Sequence, residues 1–243
     1  MKKLTMKAMA LGMAASFVLF GMTACTSTTV DEPSQSSDES IEIGGATSGG
    51  WTVEDGDIID DDLVVFDNAM EGLLGVDYTP IALVATQVVS GRNYCFLAKA
   101  TPVVQDPVSY YTFVYIYEDL EGNSSVTNIA NCPLPGGATS GDEVVPGGWE
   151  FVDADGLPMD ADALIAEATE ELTGAGYQAY AVIGAQTANG QNFAVLCKTT
   201  AVVPDAVPTV TLVKVVPGDN DRYQLGDVTD IDIGSMASAQ PET

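Results

Sequence analysis

The side chains available for chemistry are few and mostly of one kind. The 243-residue chain has no histidine, four cysteines, and eight Lys+Arg against 35 Asp+Glu, for a net charge of −27. Lack of histidine removes the commonest general base and the commonest zinc ligand. No nucleophile, base and acid stand in a recognisable set, so neither an enzyme nor a cofactor is expected. Some of the carboxylates cluster in three runs: EDGDIIDDD at 54–62, DADGLPMDAD at 153–162 and GDNDR at 218–222. Such runs offer oxygen ligands to calcium, and Asp153, Asp155 and Asp160 lie near Gly156. None forms the twelve-residue loop that closes on a glutamate. Solvated acidic surface, with carboxylates at helix N-termini, accounts for them, and no metal site is expected. So negative a chain repels phosphate, which argues against nucleic acid as a partner.

The first 24 residues read as a signal peptide. Lys2, Lys3 and Lys7 precede an uncharged, mostly apolar run from Ala8 to Met22, which suits a signal-peptide core and is short for a membrane span. The run ends in MTAC, which resembles a bacterial lipobox with Met22 where leucine is usual. The resemblance implies lipidation of Cys25 and a protein anchored to the cell membrane through that lipid, facing the extracytoplasmic side, with plain secretion as the alternative. With the leader removed, five basic side chains face all 35 carboxylates. Residues 25–43, rich in Ser, Thr, Asp and Glu, read as a flexible acidic linker.

Beyond the linker the chain repeats itself. GGATSGGW at 44–51 returns as GGATSG at 136–141 and PGGW at 146–149. From Asp61 to about Val108 the first half aligns with the second at an offset of 99 residues without a gap. QVVSGRNYCFLAKA at 87–100 thus matches QTANGQNFAVLCKT at 186–199. A period of this length suits a small domain and is too long for a solenoid unit. Two homologous domains are expected, at 44–135 and 136–235, with a frayed tail at 236–243.

Within each repeat the signals run helix first, then strands. Leu164, Ile165, Ala168 and Leu172 share one helical face behind the N-cap candidate Asp160, with Gly174 as a stop; Phe66, Ala69, Met70 and Leu73 match them. Alternating, β-branched segments follow on either side of Ser90-Gly91 and Asn189-Gly190. The expected fold is α+β: two tandem domains, each with one helix packed on a four-stranded antiparallel meander. In that meander Cys95 and Cys132 differ in height by about five residues, roughly 16 Å, with a strand between them. A disulfide needs Cα atoms within about 7 Å. Cys197 aligns with Ala98 and faces the other way. Cys95, Cys132 and Cys197 are therefore expected to be free, buried thiols.

Gln87-Val88-Val89-Ser90-Gly91, followed by Asn93-Tyr94, resembles the Gln-x-Val-x-Gly hairpin of cystatins. The helix before it and the strands after it fall in the cystatin order, and Gly49-Gly50 and Gly147-Gly148 stand where that family carries its N-terminal glycine. The resemblance implies a wedge that fills the cleft of a papain-like cysteine protease. By position, the implied protease-binding residues are Gly50 with Gln87, Val88, Val89, Ser90 and Gly91, and Gly148 with Gln186, Thr187, Ala188, Asn189 and Gly190. The match is poorer where the family usually carries Pro-Trp: EDLEGNSS and VPGDND stand there, and repeat two lacks the central valine. Residue chemistry alone leaves another account open: Ser-Gly and Asn-Gly are hairpin turn signals, and Asn93 and Asn192 suit bonds to local backbone. The rival function is a non-inhibitory surface binding or structural module that keeps the fold and engages some other protein.

Overall fold

The computed structural model describes residues 49–141, 146–219 and 222–238. The leader, Cys25 and the linker lie outside the described residues. In the first repeat β1 (Trp51–Gly56) is followed by α1 (Asp60–Met70), β2 (Val76–Val89), β3 (Gly91–Pro102), β4 (Tyr110–Glu118) and β5 (Ser124–Asn131). In the second, β6 (Trp149–Glu150) leads to α2 (Ala161–Thr169), β7 (Ala175–Thr187), β8 (Gln191–Ala201), β9 (Thr209–Pro217) and β10 (Tyr223–Ile231), and α3 (Ile233–Ser238) closes the chain. The strands form two five-stranded antiparallel sheets, ordered β1-β2-β3-β4-β5 and β10-β9-β8-β7-β6.

This corrects the expected architecture of one helix on four strands per repeat. Each sheet has a fifth strand, contributed by the segment ahead of the helix, and the molecule is mostly β. Thr52-Val53-Glu54-Asp55 carries too many carboxylates to read as a strand. It becomes one because β2 offers a ladder, pairing Trp51 with Gln87, Thr52 with Thr86 and Val53 with Ala85. Charged residues suit such an edge position. The third helix, α3, was also unforeseen, and its last three residues fall inside the stretch read as a frayed tail.

Each helix also stops a turn early. α2 begins as expected, with Asp160 Oδ1 accepting from the Ala163 N–H at 2.7 Å. α1 begins differently, with the Asp62 carboxylate accepting from the Ile59 N–H at 3.2 Å. The helices end at Met70 and Thr169, leaving Leu73 and Leu172 44% and 47% exposed. Glu71 in one repeat, and Glu170 and Glu171 in the other, put negative charge at the negative end of the helix dipole, which opposes a further turn.

Four layers result. On one face of the first sheet, Val65, Phe66 and Ala69 of α1 pack on Leu83, Phe96 and Val114. On one face of the second, Leu164, Ile165 and Ala168 of α2 pack on Val182, Phe193 and Val213. The other two faces close on each other in a shared core that includes Val84, Leu97, Phe113 and Tyr115 with Ile183, Leu196 and Leu212. Strands covered on both faces are apolar throughout rather than alternating, which explains the unbroken buried runs Tyr94–Ala98 and Phe193–Cys197. Cys95 and Cys132 sit in the shared core and Cys197 on the helix side, all three buried and unpaired, as expected.

The repeat survives in fine detail. β-bulges between Pro80 and Ala82, and between Leu83 and Ala85, recur between Ala179 and Ala181, and between Val182 and Gly184. Contacts across the middle are reciprocal. Lys99 pairs with Asp153 of the second repeat, and Lys198 pairs with Asp55 of the first at 2.6 Å. The Tyr111 hydroxyl donates to Val152 O at 3.4 Å, and that of Tyr180 to Glu54 O at 2.7 Å. Ile233, 99 residues after Leu134, accepts from the Tyr115 hydroxyl at 3.1 Å. These contacts join the half of each sheet near its first hairpin to the remote half of the other.

Candidate functional site

The recurring glutamine and asparagine turn out to be an internal clamp. Gln87 Nε2 donates to Gly49 O at 2.8 Å, while its Oε1 accepts from Asn93 Nδ2 at 2.6 Å. The second repeat rebuilds this, with Gln186 Nε2 to Gly147 O at 2.9 Å and Asn192 Nδ2 to Gln186 Oε1 at 3.3 Å. Asn93 and Asn192 lie opposite their glutamines across the hairpin, so each amide orients the next. The clamp draws the segment before β1 or β6 against the first hairpin. Trp51 and Trp149 follow it into the shared core, and Trp51 sets its ring edge-on to Tyr115 at 5.8 Å.

In repeat one, the second hairpin joins the same end. Arg92 and Glu118 stand opposite each other in the β3–β4 register, and the Tyr117 hydroxyl donates to Ser90 O at 2.5 Å. Gly91 has φ +114°, and a Cβ there would lie 2.3 Å from Glu118 O. The glycine is therefore required by the molecule itself, whatever a partner needs. The β4–β5 turn is stapled: Asp119 Oδ1 accepts from the N–H groups of Glu121 and Asn123, both at 2.9 Å, and its Oδ2 accepts from Asn123 Nδ2 at 2.8 Å. Those bonds from Asn123 hold the Asp119 carboxyl below its ordinary pKa. Tyr94 donates to Glu118 at 2.8 Å; burial first, and this bond second, push the phenol up to about 12.

Gly49-Gly50, the Val88-Val89-Ser90 tip and the Asp119–Asn123 turn thus share one end of the first sheet. Val88 and Val89 are 60% and 41% exposed there, and Leu120 is 79% exposed at the head of the stapled turn.

The corresponding end of repeat two is braced but bland. Gly190 has φ +109° and would drive a Cβ to 2.6 Å from the Pro217 ring. Asn189 adopts φ +52°, the Ala188 N–H donates to Gly190 O at 2.9 Å, and Asn192 Nδ2 reaches Ala188 O at 3.1 Å. Thr187, Ala188 and Asn189 form the tip, and Gly148 lies beside the clamp. No large apolar side chain is exposed at this tip among the described residues.

No family model and no curated protein matches this chain. The reading of the site therefore rests on its own geometry. Carboxylates of the first two runs have internal partners: Asp153 bonds Lys99, Asp55 bonds Lys198, Glu54 accepts from the Thr86 hydroxyl at 2.6 Å, and Asp160 and Asp62 cap helix starts. Arg222 of the third run pairs with Glu167 and Glu170. Among the described residues no three His, Cys, Asp or Glu side chains gather to hold a metal ion. Sequence reasoning missed Leu120, because a leucine between acids carries no motif. The signal was there in part: an apolar residue at the centre of a charged hairpin turn has no core to enter.

Proposed function

We propose that this chain is a non-catalytic binding protein whose first repeat acts as a wedge-type inhibitor of papain-like cysteine proteases. One observation carries the reading: three separate segments, at Gly49-Gly50, Val88–Ser90 and Asp119–Asn123, are tied to one another at one end and present Val88, Val89 and Leu120 to solvent. A blocking wedge needs no reacting group. It has to be stiff before it binds, so that little ordering entropy is lost on contact. The clamp at Gln87, the Tyr117–Ser90 bond and the Asp119 staple supply that stiffness. Leu120 takes the place in which the resemblance leads one to look for an aromatic anchor.

The second repeat, on this reading, is chiefly support. Among the described residues its tip offers no large apolar side chain, while its sheet covers the inner face of the first. Lipid on Cys25 would hold the wedge on the extracytoplasmic face of a membrane, where secreted proteases are met.

The test is a titration of papain with the mature protein. Inhibition at micromolar protein is expected, and Val88→Glu should weaken it tenfold or more, on the scale of an interface hot spot. Val88 is exposed, so the variant keeps its fold, whereas Gly91→Glu would distort the β3–β4 pairing and prove nothing about contact. Unchanged protease activity at high micromolar protein refutes the inhibitor reading.

A further inference from the structure

We infer that the cleft engaged by the first repeat has a basic rim beside a recess sized for an aliphatic side chain. The inference rests on the wedge reading and specifies its partner. Its basis is the composition and rigidity of the β4–β5 turn. Glu118, Asp119 and Glu121 surround Leu120 within four residues. Asp119 is held by three hydrogen bonds from Glu121 and Asn123, and Glu118 by the Tyr94 hydroxyl. Among the described residues the one cation at this end, Arg92, is occupied: it lies 3.9 Å from Glu54, donates to the Thr86 hydroxyl at 3.4 Å and rests over the Tyr94 ring. The turn therefore offers a fixed apolar knob inside a local excess of negative charge. A neutral or acidic cleft would have to strip water from these carboxylates without compensation. Lysine or arginine on the rim answers them and speeds encounter, while the aliphatic recess takes Leu120. The carboxylates then set association rate and the leucine sets residence time.

Two enzymes serve as probes: papain, and papain carrying lysines introduced at the rim of its cleft where the turn would lie. Association and dissociation rates are measured at about 20 mM and about 500 mM NaCl. The lysine-rimmed enzyme should be bound about tenfold faster at low salt, and the advantage should vanish at high salt. Glu121→Lys should remove the advantage as well. Asp77→Lys, the same charge change at the opposite end of the sheet, should leave it intact, which separates the local field from the net charge. Leu120→Ala should speed dissociation from both enzymes about tenfold, and Leu120→Met should largely restore it. Inhibition of both enzymes at equal low-salt rates overturns the basic-rim inference and leaves the wedge standing. Equal loss of the advantage in Asp77→Lys and Glu121→Lys also overturns it. Inhibition of neither enzyme overturns the wedge and this inference together.

Discussion

Three glycines in this molecule share nearly one backbone conformation and differ in what surrounds them. Gly91, Gly174 and Gly190 have φ of +114°, +115° and +109°. Replacing any of them by alanine incurs the left-handed penalty of about 1–2 kcal/mol. At Gly174 a Cβ meets nothing within 4 Å, so the penalty stands alone. At Gly91 the Cβ would fall 2.3 Å from Glu118 O, which must retreat beyond 3.0 Å. That carbonyl belongs to the β3–β4 pairing at Arg92 and Glu118, so the retreat loosens a hydrogen-bonded rung and disturbs the Tyr117–Ser90 bond. Overpacking costs about 1–3 kcal/mol and a lost hydrogen bond about 1 kcal/mol. Gly91→Ala should therefore cost about 2–4 kcal/mol more than Gly174→Ala. With a urea slope of about 2 kcal/mol/M, the two midpoints should differ by more than about 1 M. The two tryptophans, Trp51 and Trp149, place a fluorescent reporter in each repeat. Equal midpoints for the two variants would show that Gly91 is only a turn residue and would refute the packing argument.

The shared core makes a second prediction. Leu196→Ala, deep in the second sheet but packed among residues of the first, should cost about 2–5 kcal/mol and lower the transitions reported by both tryptophans together; separate transitions would show two independent cores. A third concerns alkali. Burial pushes the thiols of Cys95 and Cys132 up and that of Cys197 to about 12, so folding favours their protonated forms. The stabilisation is complete below the ordinary thiol pKa of about 8.5 and is lost as pH rises towards the folded values, at up to about 1.4 kcal/mol per pH unit for each thiol. Urea midpoints should fall between about pH 8.5 and 10, less steeply for Cys95→Ala; a flat profile refutes it.

Sequence made some of this plain and hid the rest for physical reasons. The 99-residue offset, the Asp160 cap, the two turns and the three unpaired cysteines were all legible, because each depends on local chemistry or on simple strand geometry. β1 and β6 were not legible: an acidic edge strand exists through its neighbour, and nothing in Thr52-Val53-Glu54-Asp55 announces it. Leu73 and Leu172 misled, since the helical period continues past the point where glutamates stop the helix. At the site, Gln87 and Asn93 were visible as a pattern but not as a clamp, because Gly49, the partner of Gln87, lies 38 residues away. Burial on both faces of β3 and β8 gave unbroken apolar runs, which a single sequence cannot assign to one neighbouring layer or another.

The reciprocal ion pairs have a meaning beyond stability. Lys99 meets Asp153 as Lys198 meets Asp55, so the interface between the halves is nearly self-complementary. Surfaces of that kind are what identical subunits use to close a two-fold homodimer. The chain is in effect such a dimer written into one polypeptide, its two halves joined in sequence between β5 and β6. Covalent fusion frees the halves from having to stay identical. One subunit can then keep the apolar tip of Val88, Val89 and Leu120 while the other drifts to Thr187, Ala188 and Asn189, an asymmetry that a true homodimer is barred from reaching.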